Sequence, residues 1–181
     1  MISKKEARVL IKEKLINLQK RESLDQDLIY NLSQILKLKK KIATFSPLPD
    51  EPNLEKLILL LPESEFYFPR IHTSSNRELI FEKGENFEIG QYNIFEPRSE
   101  FSLSPYELDA IIVPGLCFSK NGCRLGRGKG YYDKTLANIH QEKLIGVTYS
   151  SVFPFAFKEE THDIKMGSII TESKAFFMLD V

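Results

Sequence analysis

The chain has 181 residues, 42% of them apolar and 28% charged, and its 25 lysines and arginines are matched by 25 acids. This is the size of one domain with enough apolar material for a core. The balanced charge argues against nucleic acid as a partner, so any cationic site must be local. The start, MISKKEARVL, lacks the apolar stretch of a signal peptide, and the longest apolar run, Leu57 to Pro62, is far too short to span a bilayer, which predicts a cytoplasmic protein with no membrane partner. Cys117 and Cys123, with five residues between them, match neither a zinc site nor a redox pair and read as semi-buried thiols of a reducing compartment.

In chain order, residues 3–20 are predicted to form a helix, with Ala7, Ile11, Leu15 and Leu18 as one apolar stripe and Ser3 with Glu6 as a capping box. Lys4, Arg8 and Lys12 recur every four residues on a different face. Residues 24–38 read as a second helix carrying Leu24, Leu28, Leu32, Ile35 and Leu36, with Asp25 and Asp27 near its start, where the helix dipole favours acids. Residues 41–47 read as a short strand, SPLPDEPN as a proline loop, 53–62 as a short helix, 65–71 and 78–83 as strands, and 84–107 as irregular connection. The apolar run 108–114 has the pattern of a central strand buried on both faces. A glycine loop follows, then a helix over 131–141, a strand over 143–149 and closing segments 168–172 and 175–181. Strand, loop, helix, strand is the order of a parallel sheet covered by helices, and a single domain over 1–181 accounts for it.

The loop is RLGRGKGYYD, Arg124 to Asp133. It stands beyond the carboxyl end of a buried strand and before a helix, where open α/β sheets bind ligands. Glycines admit close approach of backbone N–H groups to an anion, and Arg127 and Lys129 alternate with them. The loop fits neither the P-loop, since Gly130 follows Lys129, nor the dinucleotide fingerprint, since Tyr131 replaces its third glycine. On these residues alone it is an anion loop or a solvated flexible turn.

The longer stretch VPGLCFSKNGCRLGRGKGYYDKTL (113–136) resembles the pattern of 5-formyltetrahydrofolate cyclo-ligases, also called methenyltetrahydrofolate synthetases: V-P-G-x-x-F, a turn, then R-x-G-x-G-x-G-Y-Y-D. KKEAR (4–8) is similar to that family's K-x-x-L-R with Ala7 for leucine, and SPLPDEPN to its glutamate-bearing loop, with Glu51 matched but Pro52 and Asn53 departing from the usual residues. FPR (68–70), EPR (96–98) and HDIKM (162–166) also fall where the family has similar segments.

The resemblance implies a three-layer α/β fold, with a mostly parallel central sheet and helices on both faces, like the sugar-phosphate isomerase and CoA-transferase architecture. It implies a monomeric enzyme that uses ATP and Mg2+ to convert 5-formyltetrahydrofolate to 5,10-methenyltetrahydrofolate. Lys4, Lys5, Glu6, Ala7 and Arg8, with Arg124, Leu125, Gly126, Arg127, Gly128, Lys129, Gly130, Tyr131 and Tyr132, would bind ATP. Arg8, Phe45, Glu51, Arg127, Gly128, Lys129, Gly130 and Tyr131 would face the folate. Arg127 and Lys129 would stabilise the transferring phosphoryl group, and Asp133 and Asp163 would hold the metal. His72, His140 and His162 read as surface or helix-end residues without a catalytic role. Two other readings stay open: a binding module that has lost turnover, and a sugar-phosphate or CoA-handling enzyme on a similar fold.

Overall fold

The structure, a computed structural model, describes residues 1–71 and 78–178. His72 and the last three residues of the predicted 175–181 segment lie outside the described residues. The strands are β1 (Lys41–Ala43), β2 (Glu65–Ile71), β3 (Leu79–Lys83), β4 (Glu88–Ile89), β5 (Phe95–Glu96), β6 (Ser102–Leu103), β7 (Ala110–Pro114), β8 (Cys117–Phe118), β9 (Arg124–Leu125), β10 (Leu144–Val147), β11 (Ser168–Ile170) and β12 (Ala175–Phe177). The helices are α1 (Lys4–Ile16), α2 (Arg21–Leu36), α3 (Leu57–Leu60) and α4 (Tyr131–Thr135).

Eight strands form one sheet in the order β12-β11-β10-β7-β1-β2-β3-β6. The five central strands β11, β10, β7, β1 and β2 run parallel, and β12, β3 and β6 are antiparallel additions at the edges. Alternation along the strands divides the core. Ile42, Ala110, Ile112, Ile145 and Val147 face α2 and α3, where Leu28, Leu32, Leu36 and Leu57 are buried. Ala43, Ile111, Val113, Leu144 and Ile169 face the other way, onto Leu136 and Ile139 from and just after α4. The mostly parallel, three-layer α/β architecture expected from the sequence is therefore the one observed. Val113, Ile112 and Ile111 are fully buried, as the continuous apolar run of β7 predicted.

At the carboxyl ends of β7 and β10, a third cluster joins the stripe Ala7–Ile11–Leu15 of α1 to the β8–β9 hairpin and to Tyr149 and Phe157. Cys117 and Cys123 lie in this cluster as free, buried thiols, and burial pushes them up to about 12 and about 11. They are more deeply buried than the sequence reading had them. The predicted capping box of α1 is present, with Ser3 and Glu6 bonded reciprocally. No helix among the described residues is long and apolar enough to cross a membrane.

Several elements differ from expectation: α1 ends at Ile16 and not near 20, and β1 ends at Ala43 and not at 47. The helix predicted over 131–141 ends at Thr135, because Thr135 Oγ1 accepts from the Leu79 backbone N–H of β3 at 2.9 Å and the chain then turns to bury both Leu136 and Ile139. The helix predicted over 53–62 is reduced to the single turn of α3, since Asn53 Oδ1 accepts from the Glu55 N–H and bends the chain at its start. The stretch 84–107, expected to be irregular, contains β4, β5 and β6 together with two short 3-10 turns.

Candidate active site

The β8–β9 hairpin follows β7 directly and leads the chain into the glycine loop at the sheet's carboxyl edge. Arg124 fixes the corner. Its Nε donates to the Pro114 carbonyl at 2.7 Å, its guanidinium lies 4.8 Å from the centre of the Tyr132 ring, and Nη1 sits 3.5 Å from Asp133 Oδ1. Gly126 is needed beside it, because a side-chain carbon there would collide with the Arg124 guanidinium. Gly128 and Gly130 adopt positive φ, 92° and 77°. These are left-handed conformations that glycine takes without strain.

Two cavities, each of about 360 Å³, meet at this loop. The first is polar, lined by Lys4, Arg8, Gly126, Asp133, Glu160 and Asp163 among others. The second is more apolar, and Phe45, Leu48, Ile71, Leu79, Tyr131 and Tyr132 contribute to its wall. Arg124, Gly128 and Gly130 line both.

The i, i+4 cationic face of α1 supplies the polar cavity. Arg8 Nε donates to the Gly126 carbonyl at 2.9 Å, which ties the helix to the loop. Lys4 Nζ is shared at 2.5 Å by Asp163 Oδ1 and Glu160 Oε2. Burial opposes the charge of Lys4, but the two carboxylates outweigh it and its pKa is raised. Asp163 reaches the cavity because its segment runs beside β9: the Arg124 N–H donates to the Ile164 carbonyl at 3.2 Å. Lys12, one turn further along the same face, lines the apolar cavity instead.

On the apolar side, Glu51 is held from two directions. Its Oε1 accepts from Arg127 Nε and its Oε2 from the Leu48 N–H, both at 3.0 Å. Arg127 also donates through Nη2 to Asp50. Lys129 is exposed, with its ammonium 5.5 Å from the centre of the Tyr92 ring. Phe45 belongs both to the core and to the cavity wall. Burial raises the Tyr132 phenol above the ordinary tyrosine range, so it stays protonated and neutral.

The sequence-derived candidates thus converge on one sheet edge, with three exceptions. Lys5 and Glu6 are exposed and line neither cavity, and Glu6 is occupied by the Ser3 cap. Ala7 is fully buried under the hairpin, so its side chain faces the core. Arg127 and Lys129 line the apolar cavity and not the polar one. The brevity of α4 also removes most of the helix dipole that the longer predicted helix would have aimed at an anion, and leaves that task to the loop's N–H groups and the cations. Of the histidines, His140 is exposed, and His162 lies exposed at the polar cavity with Nε2 3.4 Å from Glu160 Oε2. Asp50, Glu160 and Tyr92 are site neighbours that sequence reasoning did not single out.

Asp133 Oδ1 is buried and has no hydrogen-bond partner among the described residues. Its nearest charge is Arg124, and Asp163 on the same cavity is bonded to Lys4 through Oδ1. Carboxylate oxygens are the donors a hard cation such as magnesium takes, and among the described residues the potential ligands grouped within 4.8 Å of one another are those of Glu160, His162 and Asp163.

A mostly parallel α/β sheet with a glycine-cation loop between a polar and an apolar cavity has the form of an α/β protein that binds small molecules at the strands' carboxyl edge. A family model described as the 5-formyltetrahydrofolate cyclo-ligase family matches residues 2–172, and the chain belongs to that family. It is 31% identical to the 5-formyltetrahydrofolate cyclo-ligase of Mus musculus over 94% of both chains. To that of Escherichia coli K12 it is 29% identical, over 75% of this chain and 79% of the other. The NMR structure of Aquifex aeolicus 5,10-methenyltetrahydrofolate synthetase superposes with a TM-score of 0.85 at 30% identity, covering 98% of this chain and 94% of that one.

Proposed function

We propose that this protein converts 5-formyltetrahydrofolate to 5,10-methenyltetrahydrofolate with ATP and Mg2+ as requirements, releasing ADP and phosphate. The observation that carries this reading is the pair of cavities sharing Arg124, Gly128 and Gly130. A polyphosphate in the polar cavity and the ring system of a folate in the other would meet at that shared wall.

A formamide carbon is a poor electrophile, and its oxygen is a poor leaving group. The formyl oxygen attacks the γ-phosphorus of ATP, the bond to the β–γ bridging oxygen breaks, and ADP departs. N10 then adds to the activated carbon, the C–O bond breaks with its electron pair leaving on phosphate, and N10 loses its proton. Phosphoryl transfer of this kind needs mainly positioning and charge neutralisation.

Lys4 and Arg8, which line the polar cavity, would hold the phosphates, and the loop N–H groups would cradle them. Arg127 and Lys129, on the folate side of the loop, approach the transferring group from the formyl direction. Glu51 presents a carboxylate to the N–H donors of the pterin-like end, and Phe45 and Tyr131 border the ring. Asp133 and Asp163 are the residues that would hold magnesium, which when bound neutralises phosphate charge.

The test is direct. The purified protein should form the methenyl-folate chromophore only when ATP, magnesium and 5-formyltetrahydrofolate are all present. Absence of product under those conditions overturns the reading.

A further inference from the structure

Behind the apolar cavity lies a group of side chains that touch neither cavity. Arg21 and Asp25 stand one helical turn apart at the start of α2. Between them is Tyr149, fully buried just after β10, whose hydroxyl donates to Asp25 Oδ1 at 2.6 Å. The Arg21 guanidinium lies over the Tyr149 ring, 5.4 Å from its centre, and Arg21 Nε is 3.5 Å from its hydroxyl. Both charged ends then reach to one loop. Arg21 Nη1 donates to the Pro49 carbonyl, and the Asn53 N–H donates to Asp25. The segment held at its two ends, Pro49 to Asn53, is the one that carries Asp50 and Glu51, the two acids that grip Arg127.

We infer that Arg21 and Asp25, joined through Tyr149, are positioning residues that clamp the Pro49–Asn53 loop and so set where Glu51 and Arg127 stand in the folate cavity. The inference rests on the function proposed above. A proline-rich loop has no ladder of its own to hold it. Among the described residues its one internal backbone tie is from the Glu51 N–H to the Leu48 carbonyl, at 2.9 Å, so the loop's placement depends on what it is fastened to. The clamp acts on the folate side because the loop it holds carries Glu51, which with its partner Arg127 lines the apolar cavity and not the polar one.

Steady-state kinetics on the full chain test this. Arg21→Ala should raise KM for 5-formyltetrahydrofolate, or lower kcat at saturating folate, by about 10- to 100-fold, the scale of a small misplacement of a binding group. KM for ATP should stay within about twofold of wild type, a split that general loosening of the fold would not produce. Asp25→Asn, whose amide oxygen still accepts, should restore most of the folate affinity that Asp25→Leu loses. Adding Arg21→Ala to Glu51→Gln should cost less than it does in the wild type, because the group being positioned is already altered. Should Arg21→Ala fail to fold, Arg21→Lys, which keeps the charge but not the fork of donors, carries the same measurement. Folded variants with wild-type folate kinetics, or equal rises in both KM values, would overturn the clamp. Absence of turnover in the wild type would instead overturn the function on which it rests.

Discussion

Lys129 is the most exposed of the loop cations and the least committed to the fold, its one described contact being the ring of Tyr92. A preorganised cation aimed at developing phosphoryl charge is worth roughly 10²–10³ in rate. Lys129→Ala should therefore lower kcat by that factor with little change in melting temperature, and an unchanged rate would reduce the lysine to decoration. Asp133 is the opposite case, with one buried oxygen that no hydrogen bond satisfies and an arginine 3.5 Å away. Asp133→Asn keeps the shape while removing the charge. The magnesium concentration for half-maximal activity should rise by an order of magnitude or more, about the cost of one charged ligand, while circular dichroism remains that of the wild type. A wild-type magnesium titration would exclude Asp133 as a ligand.

Among the elements, the loop and β7 demand most of their sequence. Gly128 has φ of 92°, and a side-chain carbon there would come to 3.4 Å from the Arg8 guanidinium carbon. That is ordinary contact, so Gly128→Ala should cost about 1 kcal/mol through backbone strain alone and, because Gly128 borders both cavities, raise KM for both proposed substrates; separate KM measurements check this. The amino end of β1 is fastened by Asp109, whose Oδ2 accepts from the Lys40 and Lys41 N–H groups at 2.9 Å each. The Lys41 bond is the largest influence holding this carboxyl below its ordinary value. A depressed native pKa means that the stabilisation is fully present above the unfolded value, about 3.9, and is lost as pH falls through the native value. Asp109→Ala should be about 1–2 kcal/mol less stable at pH 7, the range for hydrogen bonds to a partly exposed charge. Urea midpoints measured against pH should show the gap closing in acid.

At this scale the sequence was readable wherever a pattern repeats. Five apolar residues in a row announced β7, and β2 was placed at its observed bounds by its aromatic alternation. Strands of two residues, such as β8 and β9, have no period to detect. α4 was overestimated because local propensity could not register that Thr135 would be tied to β3. The partners missed at the site share one cause. Asp50 and Arg127 are 77 residues apart, and Lys4 and Glu160 are 156 apart, and only the parallel topology brings them together. The residues of the glycine loop could be read beforehand because chain connectivity alone delivers them to the sheet edge.

For the whole molecule, the consequence lies in Arg124. Its side chain is only 9% exposed, yet it borders both cavities, with its corner anchored to Pro114 at the end of the central strand. A ligand on either side would touch the same side chain. The two substrates of the proposed function should then be thermodynamically linked, and linkage is reciprocal. A non-hydrolysable ATP analogue should sharpen folate affinity by the same factor by which folate sharpens affinity for the analogue. Calorimetric titrations in both orders should return that common factor, and Arg124→Leu, by cutting the partition, should bring it towards one. Under the function proposed, the shared wall of Arg124, Gly128 and Gly130 would couple the two binding events.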